Sequence, residues 1–157
     1  MNKKTKRRIK IFTLYFFYFI VFSFVGSLIE HLSILIGGEG IDYDKLIYQW
    51  FNVKIYFISF YGVGALLMIF LGQLMDRKKV KFLYRGFFNS LIIVIWEFIG
   101  GLFCLFVLGE RLWDYSREPF NFMGIVSLQI FLIWLVLGYI FSIIYRYGIR
   151  FLNRFLL

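Results

Sequence analysis

The sequence predicts an all-α polytopic membrane protein, with four transmembrane helices and both termini cytoplasmic. Three observations carry that prediction. Hydrophobic residues fill 61% of the 157 positions, against roughly 45–50% in ordinary globular domains. They are gathered into blocks about as long as the ~20 residues a helix needs to cross a bilayer. The basic residues stand at the edges of those blocks, mostly on alternate sides of the membrane.

The spans read as Ile11–Ile36, Ile55–Met75, Phe87–Leu108 and Phe122–Tyr145 within a single membrane domain, residues 1–157. The first follows "KKTKRRIK", but its apolar run exceeds the roughly 7–15 residues of a signal-peptide core and no A-x-A site follows. It is expected to be a retained helix. Lys3, Lys4, Lys6, Arg7, Arg8 and Lys10 precede it; Arg77, Lys78, Lys79, Lys81 and Arg85 follow the second span, and Arg146, Arg150 and Arg154 follow the fourth. The other two links hold only Lys45, Lys54, Arg111 and Arg117 beside Glu39, Asp42, Asp44, Glu110, Asp114 and Glu118. By the positive-inside rule the basic ends face the cytoplasm of a cell-membrane protein.

A net charge of +9 placed in this way fits anionic headgroups and topology rather than nucleic acid. In the tail, residues 146–157, the three arginines four apart share a helical face, which suits an amphipathic strip on the inner leaflet or a plain positive stop. Residues 37–54 read as an outer loop whose "YDKLIYQWF" part is expected to form a short interfacial helix. The single Cys104 permits no internal disulfide.

Ionisable groups inside the spans are few. Glu30 and His31 fall in the outer half of the first span, about 9 Å below its boundary, and Glu97 falls roughly 16 Å down the third. A charge at such depth is costly and is usually functional or paired. With Tyr61 at comparable depth, these residues suggest a polar pocket open to the outside and roofed by Trp113, Asp114, Tyr115 and Asn121. Two carboxyls in low dielectric favour a bound cation or a shared proton; the competing reading is that they hold helices together by hydrogen bonds. His31 adjoins Glu30 on a different face, and one His without Cys or His partners makes no metal site.

Between the last two spans lies "RLWDYSREPFNFMG". Pro119 stops the preceding helix, Asn121 is expected to cap the fourth span, and Trp113 and Tyr115 suit the interface. Asp114 between two aromatics suits a cation or an arginine, with Arg111 and Arg117 nearest. The glycines of "YGVG", with Gly100 and Gly101, permit close helix approach. Asn89, Ser90 and Gln129 are expected to hydrogen-bond between helices. No P-loop, zincin, cysteine-pair or nucleophile-elbow motif occurs, so neither a cofactor, a metal nor a catalytic group is expected in this chain.

Taken together, "FVGSLIEHL", "YGVGALL", "WEFIGG" with "GERLWDYSREPFNFMGIVSL", and "FLIWLVLGYIF" resemble the family of integral membrane proteins described as putative ABC-transporter type IV (CmpB-like). The resemblance covers roughly residues 14 to 142, and its specific part is the W-D-Y-S…P-F-N-x-x-G string. Its pattern falls on Gly26, Glu30, Tyr61, Gly62, Gly64, Glu97, Trp113, Asp114, Tyr115, Ser116, Asn121, Gly124 and Trp134. Family members commonly carry proline before the Tyr-Gly element; here the chain reads "YFISFYG".

The resemblance implies a permease-like subunit working with a separate ATPase, as a homo-oligomer, since four spans are few for a permease. The alternative is an accessory or regulatory membrane subunit whose buried polar residues are structural. An outer-leaflet enzyme using Glu30, His31 or Asp114 lacks any accompanying nucleophile–base pair or metal set.

Overall fold

Long apolar stretches without internal proline become helices wherever water cannot satisfy the backbone, because a helix pairs its own N–H and C=O groups. The computed structural model describes residues 2–35, 49–50, 53–54 and 59–156. Its helices are α1 (Lys3–Leu35), α2 (Ser59–Arg77), α3 (Phe82–Phe103), α4 (Leu128–Ile144) and α5 (Arg150–Leu156). A π-helical turn at Cys104–Leu108 prolongs α3, and another at Tyr145–Ile149 joins α4 to α5. Four of the resulting rods are long and apolar enough to cross a membrane. The fold is that of a multi-pass, all-α membrane protein.

Outside the helices, Gln49–Trp50 (β1) and Val53–Lys54 (β2) pair antiparallel. The expected interfacial helix over 43–51 lies outside the described residues except at Gln49 and Trp50, which are extended rather than helical.

Neighbours along the chain pack together: α1 on α2, α2 on α3, and α3 most extensively on α4. Lipid offers no hydrophobic drive for this, so small residues that bring backbones close and hydrogen bonds between helices carry the association. A Cβ on Gly62 would meet the Phe19 carbonyl oxygen at 2.6 Å, and one on Gly138 would meet that of Gly86 at 2.6 Å. Gly100 lies against Phe60 and Gly101 against Ile125. Asn89 donates across to the Ser142 hydroxyl at 2.9 Å. Ser90 instead bonds back within its own helix, to the Phe87 carbonyl. Gln129 is exposed and makes no interhelical hydrogen bond among the described residues.

The N-terminal half of α1 and the C-terminal segment from Tyr145 meet at one end of the bundle. There the Tyr18 hydroxyl donates to Asn153 Oδ1 at 3.0 Å, and Leu14, Tyr18, Ile69, Tyr145 and Ile149 form a buried core. Asp76, at the foot of α2, receives Arg85 at 2.8 Å, Arg150 at 3.5 Å and the Tyr145 hydroxyl at 3.1 Å. Part of the basic charge that the sequence assigns to topology is therefore neutralised by an acidic residue.

Helix starts differ from the expected span bounds at α3, which begins at Phe82 rather than Phe87, and more consequentially at α4. The fourth helix starts at Leu128 rather than Phe122, and its cap is Ser127, whose hydroxyl accepts from the Ile130 amide at 3.2 Å. Asn121 caps nothing. The chain turns too sharply before Ser127, with positive φ at Phe120, Met123 and Gly124 and a bridge between Phe122 and Val126.

Candidate functional site: an acidic, aromatic cavity roofed by the third link

A cavity of about 470 Å³ opens among all four long helices. Its walls include Glu30 from α1, Tyr61 from α2, Glu97 from α3 and Trp134 from α4, beneath Trp113, Asp114 and Tyr115 of the third link. The structure thus brings together every residue of the sequence-derived pocket except Asn121 and His31. The side chain of His31 lies outside the described residues.

The carboxyls differ in setting. Glu97 is 7% exposed. It accepts from the Tyr115 hydroxyl at 3.2 Å through Oε1 and from the Trp134 indole at 3.0 Å through Oε2. The two donors come from the link and from α4, so this one side chain ties three parts of the chain together. Glu30 is half-buried and accepts from the Tyr61 hydroxyl. Tyr61 is held in turn by Gly26, where a Cβ would meet the Tyr61 ring at 2.3 Å. A bulkier residue at Gly26 would push the phenol off Glu30.

Asp114 is exposed and organises the roof. It accepts from the Ser116 hydroxyl, from the Ser116 amide at 3.0 Å and from Arg111 at 3.4 Å. Those Ser116 hydrogen bonds, helped by the charges of Arg111 and Arg117, hold its carboxyl below the usual Asp range. Of the two arginines named as partners from the sequence, Arg111 is the one in contact. Burial, and then the neighbouring Glu97 charge, push the Tyr115 phenol far above the usual tyrosine range, so it stays protonated as a donor to Glu97.

The link itself is closed by short-range bonds. Asn121 donates to the Ser116 and Glu118 carbonyls at 3.2 and 2.8 Å and accepts from the Gly124 amide at 3.1 Å. Tyr115 pairs its amide with the Gly124 carbonyl at 2.8 Å. The Glu118 carboxylate accepts from Ser127, joining the loop to the cap of α4. Gly124 has φ of +67°, and a Cβ there would lie 2.3 Å from the Ser116 hydroxyl and 2.7 Å from Asp114 Oδ1. Asn121 and Gly124 thus shape the roof rather than line the cavity.

Aromatic rings finish one wall. Trp96 stacks on Phe60 at 4.8 Å and donates to the Phe60 carbonyl at 3.0 Å. Trp113 donates to the Ile125 carbonyl at 2.9 Å and lies 6.0 Å from Phe60. Trp96, Glu118 and Ser127 lie outside the pocket residues expected from the sequence. Trp134 entered only through the family pattern, although a tryptophan well inside a span is itself a signal, because its N–H needs a buried partner.

Chemically, the arrangement offers carboxyl oxygens and π-faces to a positive group, and no group of three or more potential metal-ligating side chains occurs among the described residues. No curated protein and no solved structure matches the chain. A family model does match, over residues 17–155, which is nearly the whole membrane domain. The chain belongs to the family described as putative ABC-transporter type IV.

Proposed function

We propose that this chain is the permease-like membrane subunit of an ABC-type transporter, and that an ion or small solute passes through the acidic cavity from the outer face. The observation that carries the reading is convergence: Glu30, Glu97 and Asp114, from α1, α3 and the third link, line one cavity bounded by all four helices. Scattered structural carboxyls have no reason to share a cavity. Charge supports the orientation. The end of the bundle that holds both termini and the turn after α2 carries most of the lysines and arginines, so it is the cytoplasmic end in the cell membrane and the cavity faces outward.

The chain has no nucleotide-binding motif, so it is not itself the enzyme; ATP hydrolysis belongs to a separate subunit, and a pathway built from so few helices is completed by a homo-oligomer. A second reading is favoured by one observation. The Glu97 carboxyl is already held by Tyr115 and Trp134, as expected in an accessory or regulatory subunit whose polar groups fasten the bundle.

A pulldown from native membranes in mild detergent, paired with a thermostability screen against cations, separates the two. Recovery of an ATPase, with a solute that raises the melting temperature of wild type but not of Glu97→Gln, supports transport. Recovery of the chain alone or with a sensor, and the same ligand response in both proteins, supports the accessory role.

A further inference from the structure

The cavity is open sideways. Each helix packs on its chain neighbour, but among the described residues α1 and α4 share no comparable seam. They approach near the end that holds the termini, where the Phe22 and Phe141 rings lie 5.7 Å apart. Between that contact and the roof, Val25 and Ile29 of α1 and Ile133, Leu137 and Ile140 of α4 all line the cavity. Their spacing puts each set on a single helical face. Yet the five remain between 37% and 58% exposed. These side chains form the lips of an apolar mouth at the depth of the lipid chains.

The deep part of the cavity holds a second sign of an occupant. Asn89, 2% exposed, is a lining residue. Its Nδ2 is committed to Ser142 at 2.9 Å and to the Gly138 carbonyl, but its Oδ1 has no hydrogen-bond partner among the described residues. A buried amide oxygen without a donor is costly. Asn89 precedes Glu97 by about two helical turns, so this acceptor lies about 12 Å farther in than Glu97 along α3.

We propose that the occupant is a cationic amphiphile entering from the bilayer. Its positive head sits between Glu30 and Glu97 against the tryptophan and tyrosine rings, and its chain runs out between α1 and α4. Charge complementarity selects the head: the cavity presents the Glu30 and Glu97 carboxyls and π-faces, while Asp114 and Arg111 offset each other. The apolar lips select the chain, and the Asn89 oxygen receives an N–H or O–H carried part-way along it. This inference rests on the acidic cavity being a ligand site, as the transport reading holds, and narrows the ligand from an ion or small solute to a cation with a tail.

The test measures saturable binding of alkyltrimethylammonium ions to the full chain in phosphatidylcholine nanodiscs, with empty nanodiscs subtracted. The probes are tetramethylammonium, hexyltrimethylammonium and dodecyltrimethylammonium, with dodecyl sulfate as competitor. Affinity referred to the aqueous concentration is expected to rise with chain length by up to roughly fourfold per buried methylene, and dodecyl sulfate is expected not to compete. Glu97→Gln and Glu30→Gln should each weaken the long-chain probe at least tenfold. The double variant Ile29→Trp/Leu137→Trp, which fills the mouth, should flatten the chain-length dependence, so that the three cations bind with similar affinity.

Equal binding of all three cations, sensitive to Glu97→Gln, would overturn the amphiphile inference and leave the small-cation cavity standing. Competition by dodecyl sulfate would overturn the assigned head charge. Absence of saturable binding by all three cations, in a wild-type protein that melts cooperatively, would overturn this inference; the transport reading falls only if the pulldown also recovers no ATPase.

Discussion

The indole nitrogen of Trp134 lies 3.0 Å from Glu97 Oε2, joining α4 to α3 through a carboxyl that Tyr115 also reaches from the roof. This geometry makes the chemistry of a substitution at Glu97 predictable. In Glu97→Gln the amide oxygen can face Trp134, which only donates, while the amide nitrogen faces Tyr115, whose hydroxyl can turn and accept. Stability is expected to change by less than about 1 kcal/mol, because both hydrogen bonds have a replacement. Glu97→Leu strands two buried donors and is expected to cost about 2–4 kcal/mol. Thermal unfolding in detergent compares the pair, and equal losses would contradict the hydrogen-bond account.

Trp134→Phe removes one of those bonds together with part of the indole's volume, so its cost combines a hydrogen bond with a cavity. The expected loss is about 0.5–2 kcal/mol, since hydrogen bonds between membrane helices are often weaker than buried bonds in soluble proteins. In the Glu97→Leu background the same substitution should cost markedly less, because the indole has already lost its acceptor. A double-mutant cycle by thermal or chemical unfolding measures the difference, and full additivity would show that Trp134 contributes by packing alone.

Asp114 leads to a prediction about pH. Its folded carboxyl is held below the ordinary value, chiefly by the two Ser116 hydrogen bonds. A depressed folded value means that its contribution to the order of the roof is complete above the unfolded value, roughly pH 4, and is lost as pH falls through the lower folded value. Amide hydrogen exchange at Ser116, corrected for the intrinsic pH dependence, is expected to stay slow down to about pH 4 and to speed up below it. Asp114→Ala should remove the protection at every pH, whereas Asp114→Asn retains one acceptor and keeps part of it.

How much of this was legible follows from the range of the interactions. The helical rods could be read from the sequence because apolar block length is a local property: α3 begins at Phe82 where Phe87 was expected, and the expected start of the second span, Ile55, lies outside the described residues. The start of α4 was misplaced because Phe122 and Met123 extend an apolar run, while the features that override it, positive φ at three positions and a serine cap, are conformational. Ser127 and Gly124 were the available signals. Glu30, Tyr61, Glu97 and the link residues could be named because charge is conspicuous inside a span. Their partners could not, since Glu97 and Trp134 stand 37 residues apart and only packing decides which indole reaches which carboxyl. Asp76 was hidden for a similar reason: in "MDRKKVK" it looks like a diluted positive patch, and its partners Arg85 and Arg150 meet it only after α2, α3 and the tail assemble.

The Asp76 cluster supports a prediction at the other end of the bundle. Asp76→Ala removes the acceptor shared by Arg85, Arg150 and the Tyr145 hydroxyl. The Asp76 and Arg85 side chains are 21% and 15% exposed, so solvent screens the pair only in part. A loss of about 1–2 kcal/mol is expected, above the usual value for a fully exposed pair, with Asp76→Asn losing less because it still accepts from Tyr145. Unfolding midpoints at low and high salt provide the check. A difference between wild type and Asp76→Ala that shrinks only slightly at high salt agrees with partial burial, and one that vanishes would mean that the arginines are held only as loosely as surface charges.

Gly124→Ala bears on whether the roof has an alternative conformation. The residue has φ of +67°, which costs an L-residue roughly 1–2 kcal/mol. A Cβ there also falls 2.3 Å from the Ser116 hydroxyl, 2.6 Å from Arg111 Nη1 and 2.7 Å from Asp114 Oδ1, the atoms that fasten Asp114 to the loop. Backbone strain alone would destabilise without altering the site; the three clashes add a displacement of Asp114 toward or away from the cavity. Gly124→Ala is therefore expected to lower stability by about 2 kcal/mol and to raise hydrogen exchange across residues 113–124, while α1 and α2 keep wild-type protection. Gly124→Asn, a side chain that tolerates positive φ but meets the same neighbours, separates the two causes. If it restores stability and exchange together, the strain was the whole effect; if stability improves and exchange stays fast, the space over Ser116 and Asp114 is what Gly124 protects.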